Sequence, residues 1–115
     1  MSTTNLQNKQ VQAHLFLADM YQDAYFPDNL VDKGKALLLQ LCAKIEVEKP
    51  ATLEAFYALT QATTEQFNQL EVEFGAQESE LETVARENIA LDMMMISLFY
   101  GYEADAEEMI ANRNW

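Results

Sequence analysis

A run of side chains between residues 53 and 74 recurs at alternating intervals of three and four residues. Because an α-helix has about 3.6 residues per turn, this spacing places the whole run on one face of a helix. Thr52 suits the N-cap of that helix, and Gly75 suits the left-handed position that follows a helix end. The pattern therefore predicts a helix over residues 52–74 that packs against others. Its members are Leu53, Phe56, Thr60, Thr63, Phe67, Leu70 and Phe74.

Two further helices are predicted in the N-terminal half. Apolar side chains form one stripe over residues 8–23, and Pro27 disfavours helical geometry just before it. A broader apolar face covers residues 29–48, with Asp28 as a candidate N-cap and Pro50 beyond its end.

The C-terminal half predicts one long and one short helix. Ser79 and Glu82 have the spacing of a capping box, which opens a helix that Gly101 ends. A short helix follows Asp105. The segment 93–100 is apolar on nearly every side, so we expect it at the centre of the core. Its members Met95, Ile96 and Phe99 are expected to be nearly fully buried.

Glycine and proline are scarce, with three and two copies in 115 residues, which excludes a turn-rich β-sandwich. Half of the residues are hydrophobic, which excludes a disordered chain. We therefore expect a single all-α domain over residues 1–115, built as a compact bundle of four main helices plus a short C-terminal helix. Residues 1–7 are expected to be frayed.

Charge is distributed unevenly along the chain, whose net charge is −12. Residues 1–53 are nearly neutral, whereas residues 54–115 contain 13 acidic and only two basic side chains. Such a field repels phosphates, so nucleic acids and anionic membranes are disfavoured as partners. It attracts basic proteins.

Several features predict a cytoplasmic protein. The N-terminal residues lack the pattern of a secretory signal, and the apolar run 93–100 is far shorter than the roughly 20 residues that span a bilayer. Cys42 is the only cysteine and lies on an apolar helical face, as expected for a buried structural thiol in a reducing compartment.

Metal and cofactor motifs are not evident. His14 is the only histidine, which excludes the paired Glu-x-x-His motifs of di-metal bundles. The acids near residue 75 lack the spacing of a calcium-binding loop, and the glycine near residue 34 lacks that of a phosphate loop. We therefore expect no bound metal and no cofactor.

The leading hypothesis is a non-catalytic acidic interaction protein, such as an immunity-type inhibitor or a regulatory adaptor. Its candidate docking patch for a basic protein consists of Glu71, Glu73, Glu78 and Glu80, which surround the turn after the third helix. Glu82 is set apart because it is expected to cap the next helix.

Two alternatives remain open. A polar site around His14, Tyr25, Glu87 and Asp92 would make the protein a small-ligand binder or an enzyme. Asp92 in particular needs a partner if it is half-buried, because an unpaired buried charge is costly. A self-associating homo-oligomer is the other alternative.

Unusual short strings also carry a resemblance. They are Tyr25-Phe26-Pro27, the segment from Leu30 to Lys35, the segment from Ala85 to Ala90, and the ending Arg113-Asn114-Trp115. Over nearly its whole length the chain resembles a family of small acidic bacterial proteins catalogued as a domain of unknown function. The resemblance implies a bacterial, cytoplasmic, stand-alone protein and carries no catalytic residue.

Overall fold

A computed structural model describes residues 6–115 and shows six helices within that range. Helices account for 68% of these residues, which include no strand, so the all-α prediction is confirmed. In chain order the helices are α1 (Lys9–Ala13), α2 (Ala18–Tyr21), α3 (Asp28–Glu48), α4 (Leu53–Ala76), α5 (Thr83–Phe99) and α6 (Ala106–Met109).

Helices α3 and α4 form the most extensive helix pair and are joined by a short turn. A buried glycine of α3 lies against α4 and against the residue before α2, since a Cβ at Gly34 would lie 3.0 Å from a methyl of Leu17 and 3.2 Å from the ring of Phe67. The space that a side chain would fill is therefore used by two neighbours, which explains a glycine in the middle of a helix.

Helix α5 packs against α2 and α6 and more lightly against α1 and α3. Its inner face is fully buried through Ile89, Met93 and Ile96. The last residue lies against the core, where the ring of Trp115 packs edge-on against the ring of Phe67 with 6.2 Å between the ring centroids.

Three predicted helix ends are present. The side-chain oxygens of Thr52 and Asp105 accept backbone N–H groups in the first turns of α4 and α6. Gly101 has a φ of 80° and ends α5, while the N–H of Tyr102 donates to the carbonyl of Ser97 at 2.8 Å. This is the Schellman arrangement that favours glycine.

The predicted boundary between α4 and α5 is wrong. Helix α4 continues through Gly75, and the left-handed residue is Glu78, with a φ of 61°. The N–H of Ser79 donates to the carbonyl of Phe74 at 2.9 Å, so Ser79 closes α4 instead of capping α5. Glu82 takes the N-cap position of α5. The capping-box spacing was therefore misleading, because the backbone of Ser79 serves the preceding helix.

The helix predicted over residues 8–23 is divided into α1 and α2. Leu17, between them, is fully buried and has a φ of 55°, a left-handed conformation that is uncommon for a residue with a side chain. The apolar stripe was real, but the backbone turns within it. Side chains of α5 hold this turn, as described below.

The apolar segment 93–100 is not enclosed on all sides. Ile96 is fully buried as predicted, but Met95 and Phe99 are only half-buried. Leu98 is 57% exposed. Phe99 contacts the ring of His14 without being enclosed by it, and Met95 is also only partly covered, so the burial predicted for these two residues is wrong.

Candidate functional site

Asp92 on α5 lies at the centre of a buried polar contact. Its side chain is almost completely enclosed, and one carboxylate oxygen lies 2.8 Å from Nε2 of His14. The other oxygen accepts the backbone N–H of Leu17 at 2.6 Å. One turn earlier on α5, the side-chain oxygen of Asn88 accepts the N–H of Met20 at 3.1 Å.

These contacts complete the N-terminus of α2. The first N–H groups of a helix have no partner within the helix, and an N-cap side chain normally supplies one. Leu17 occupies the N-cap position of α2, and its aliphatic side chain cannot accept a hydrogen bond. Asp92 and Asn88 supply it from another helix and fasten residues 14–20 onto α5.

Burial raises the pKa of Asp92, while the contacts with His14 and with the N–H of Leu17 oppose the rise. The nearby Asp19 adds to it. The ring of His14 packs edge-on against the rings of Phe16 and Phe99, with 4.6 and 5.5 Å between the ring centroids. Because both carboxylate oxygens of Asp92 are engaged and covered, this pair organises the fold and offers a ligand only the ring of His14.

A cleft of about 280 Å³ opens beside His14. Lys35 and Gln12 contribute polar groups to its wall, and the rest of the wall is apolar. The apolar lining consists of Leu6, Val11, Phe16 and Leu39.

The other two residues of the predicted polar site lie elsewhere. Tyr25 is exposed, and its pKa is raised by desolvation and by the charges of Glu80 and Glu82, which places it beside the start of α5. Glu87 is exposed on α5 and makes no ion pair among residues 6–115. The structure thus brings His14 and Asp92 together and leaves Tyr25 and Glu87 outside their site.

The four predicted docking acids divide into two groups. Glu73 forms an ion pair with Lys33 on α3, with 2.5 Å between nitrogen and oxygen. Glu71, Glu78 and Glu80 lie around the turn that connects α4 to α5, and we call these three residues the turn patch. Burial and then the charge of Glu80 raise the pKa of Glu71.

The turn patch is not neutralised within the described part of the chain. Residues 6–115 contain ion pairs at Lys33–Glu73 and Arg113–Glu107 and the hydrogen-bonded pair His14–Asp92, and none of them involves the turn patch. Glu71 and Glu80 therefore repel each other at neutral pH, and neither has an ion-pair partner among residues 6–115.

A second organised carboxylate was missed from the sequence. Glu46 on α3 accepts the N–H groups of Gln7 and Asn8 and the hydroxyl of Tyr100. Burial alone would raise the pKa of Glu46, but these three donors lower it. Its partners are 38 to 54 residues away in sequence, so no local pattern could have identified the contact.

Cys42, near Tyr100, is buried and chemically quiet. Desolvation raises the pKa of its thiol to about 12, which leaves almost no thiolate at neutral pH. A role in covalent chemistry is therefore disfavoured.

The outward side of α5 is apolar and exposed. Val84, Leu91 and Leu98 follow one another at intervals of seven residues, and their side chains are 38%, 54% and 57% exposed. Across residues 6–115, no group of three or more potential ligand residues is arranged to hold a metal ion. Over the same range, no helix has the length and apolarity needed to cross a membrane.

Among residues 6–115, fold and surface together define a small acidic helical protein with an unneutralised turn patch and an exposed apolar side of α5. The chain belongs to a family of unknown function, DUF5713, whose model matches residues 10–115. No curated protein and no solved structure is significantly similar to it.

Proposed function

We propose that this protein is a non-catalytic interaction module of the bacterial cytoplasm whose turn patch docks on a basic protein surface. An immunity-type inhibitor and a regulatory adaptor both use surfaces of this kind. The observation that carries the proposal is the proximity of Glu71 and Glu80, two like charges that lie near each other and form no ion pair with any of residues 6–115.

The electrostatics of the turn patch support binding more than solvation alone. Acids that serve only solubility can spread apart, whereas the fold holds Glu71 and Glu80 close enough to raise the pKa of Glu71, after the larger effect of its burial. Such repulsion lowers stability and is relieved when a cation arrives. Tyr25 lies beside Glu80 and Glu82 and adds an exposed ring, a side chain that is common in protein interfaces.

The contrast with Asp92 favours binding over catalysis at the acids. A general acid or base must reach the proton that it transfers. Asp92 is enclosed, and its two oxygens are occupied by His14 and Leu17. The accessible acids of the turn patch have no histidine among their partners in the described residues.

A defined cationic probe tests the proposal. We expect a decalysine peptide to bind the wild-type protein, and the double variant Glu71→Gln/Glu80→Gln to bind it several-fold more weakly with a flatter salt dependence. The matched control is Glu48→Gln/Glu54→Gln, which removes the same charge beside the turn between α3 and α4, at the other end of α4 from the turn patch. Isothermal titration at three salt concentrations gives both quantities. Equal losses in the two double variants would contradict a localised patch.

A second candidate function rests on the cleft beside His14. Lys35 and His14 line an otherwise mostly apolar cleft of about 280 Å³, a size and chemistry that suit a small organic anion with an apolar tail. Hexanoate is a suitable probe. We expect it to shift the NMR signals of the His14 ring, and Lys35→Gln to abolish the shift; unchanged His14 signals would exclude this candidate.

A further inference from the structure

The exposed side of α5 continues as a regular seam. Its members Val84, Glu87, Leu91, Met94 and Leu98 are separated by alternating intervals of three and four residues, and we call these five residues the outer seam. Met94 is partly buried against the core, and the other four are exposed. Four of the five side chains are apolar. Glu87 is the single charge among them.

The spacing of the outer seam is that of helix-to-helix packing. Side chains at intervals of three and four residues form the stripe that one helix presents to another in coiled coils and bundles. From residue 84 to residue 98 the seam is about 21 Å long, which matches a partner helix of roughly four turns. Within α4 the same spacing produces a mostly buried face, whereas in α5 every seam residue except Met94 is exposed.

The core of this protein does not require an apolar outer seam. Ile89, Met93 and Ile96 already fill the inner face of α5 and are fully buried. Polar side chains at positions 91 and 98 would leave those contacts intact, yet both positions are occupied by exposed leucines. A contiguous exposed apolar patch with a polar rim is characteristic of a protein-binding surface.

We propose that the outer seam binds an amphipathic basic helix of a partner protein, with apolar side chains against Val84, Leu91 and Leu98 and a lysine or arginine opposite Glu87. This inference rests on the proposed function and names the structural form of the partner. Helix-in-groove recognition uses anchors with this spacing.

Charge complementarity selects the occupant. The seam begins just after Glu80 and Glu82, contains Glu87, and is followed by Glu103, so acids lie before, within and after its apolar positions. A basic helix would place cations near each of them while its apolar side covers the leucines. Neutralising Glu87 on binding avoids burying an unpaired charge.

A second copy of this chain fits the outer seam poorly. In a parallel pairing Glu87 would face Glu87 of the copy, and in an antiparallel pairing centred on Leu91 it would face Met95. Neither arrangement supplies a cation. Each copy also carries a net charge of −12, which opposes association.

Two peptides of identical composition test the inference. The probe is a 14-residue lysine–leucine peptide whose leucines fall on one helical face, and its control is the same composition in scrambled order. We expect the amphipathic peptide to bind the wild-type protein about tenfold more tightly than the scrambled one, because only it buries the seam leucines. Fluorescence anisotropy gives the affinities, and circular dichroism reports helix formation on binding.

The protein variants locate the site. Leu91→Ser/Leu98→Ser should remove the preference for the amphipathic peptide. The control Val47→Ser/Val72→Ser replaces two other exposed apolar residues, 64% and 73% exposed, and should keep it. Glu87→Gln should weaken binding of the amphipathic peptide several-fold and flatten its salt dependence.

The outcomes separate this inference from the proposed function. Equal binding of both peptides, with loss in Glu71→Gln/Glu80→Gln, would overturn the seam and leave the turn patch standing. Binding of neither peptide would overturn both. A wild-type dimer in light scattering that becomes monomeric in Leu91→Ser/Leu98→Ser would also overturn the inference, because a second copy would then cover the seam.

Discussion

The two faces of α5 have opposite relations to the rest of the molecule. On the inner face Ile96 is fully buried and the carboxylate of Asp92 holds two partners. On the outer face Leu98 is 57% exposed and the carboxylate of Glu87 has no ion pair among residues 6–115. Each face thus combines an aliphatic side chain with an acid, but only the inner combination is used by the fold.

The contrast separates residues that stabilise the fold from residues that remain accessible for binding. A polar group inside a core persists when its hydrogen bonds are satisfied, as those of Asp92 and Asn88 are. An apolar seam on a surface contributes little to folding, which agrees with the partner helix proposed for it. Substitutions on the inner face should therefore lower the free energy of unfolding. Substitutions on the outer face should leave it nearly unchanged and weaken binding instead.

The largest difference is expected between Ile96 and Leu98. Ile96→Ala should lower the free energy of unfolding by about 2–5 kcal/mol, because it leaves a cavity in a close-packed core. Leu98→Ala should change it by about 0.5 kcal/mol or less. Urea denaturation of both variants measures the difference. Similar losses would mean that the outer face is part of the fold.

A smaller difference is expected between the two acids. Asp92→Ala leaves the buried N–H of Leu17 without its acceptor and should cost about 1–3 kcal/mol. Glu87→Ala should be nearly neutral. Asp92→Asn is the matched control, because its side-chain oxygen can still accept the N–H of Leu17. Chemical denaturation at pH 7 measures the free energy of unfolding of each variant. If Asp92→Asn is as unstable as Asp92→Ala, the capping role of Asp92 is contradicted.

Local signals predicted well what is decided locally. Thr52, Asp105 and Gly101 act at helix ends through neighbours within five residues, and each lies where the pattern placed it. The capping role predicted for Ser79 was wrong because Ser79 lies between two helices, and its backbone N–H donates to the end of α4. The sequence shows the capping-box spacing, but it does not show which of the two helices Ser79 completes.

Contacts between distant residues were predicted only in part. The polarity of Asp92 within an apolar helix predicted that it needs a partner, and His14 was among the candidates. The division into α1 and α2 could not be foreseen, since it depends on acceptors from α5 that lie 68 and 75 residues further along the chain. For the same reason the left-handed backbone of Leu17 has no signal in its own neighbourhood.

The pH dependence of stability sharpens the role of the inner face. Burial raises the pKa of native Asp92 above its ordinary value of 3.8. Between 3.8 and the native pKa the unfolded chain has already lost the proton that the native protein keeps, so the contribution of Asp92 to stability falls as pH rises. Asp92→Asn removes this loss. The stability of the Asn variant relative to wild type should therefore increase from pH 3 upwards and level off above the native pKa. A flat difference between pH 3 and pH 6 would show that His14 cancels the effect of burial.

The smallest expected effect concerns the turn patch, which adjoins the start of the outer seam. Glu80→Gln should move the pKa of Glu71 part of the way back toward 4.5, because burial, the larger cause of the rise, remains. Glu48→Gln should leave the pKa of Glu71 unchanged, since charges farther apart than about 8 Å are screened at physiological ionic strength. Titration of the Glu71 side-chain carbon by NMR measures both. A bound decalysine peptide should lower the same pKa, because a cation stabilises the carboxylate. If Glu80→Gln and the peptide each leave the pKa of Glu71 where it was, these acids are too far apart to act together, and the outer seam would have to recognise a partner by its apolar side chains and Glu87 alone.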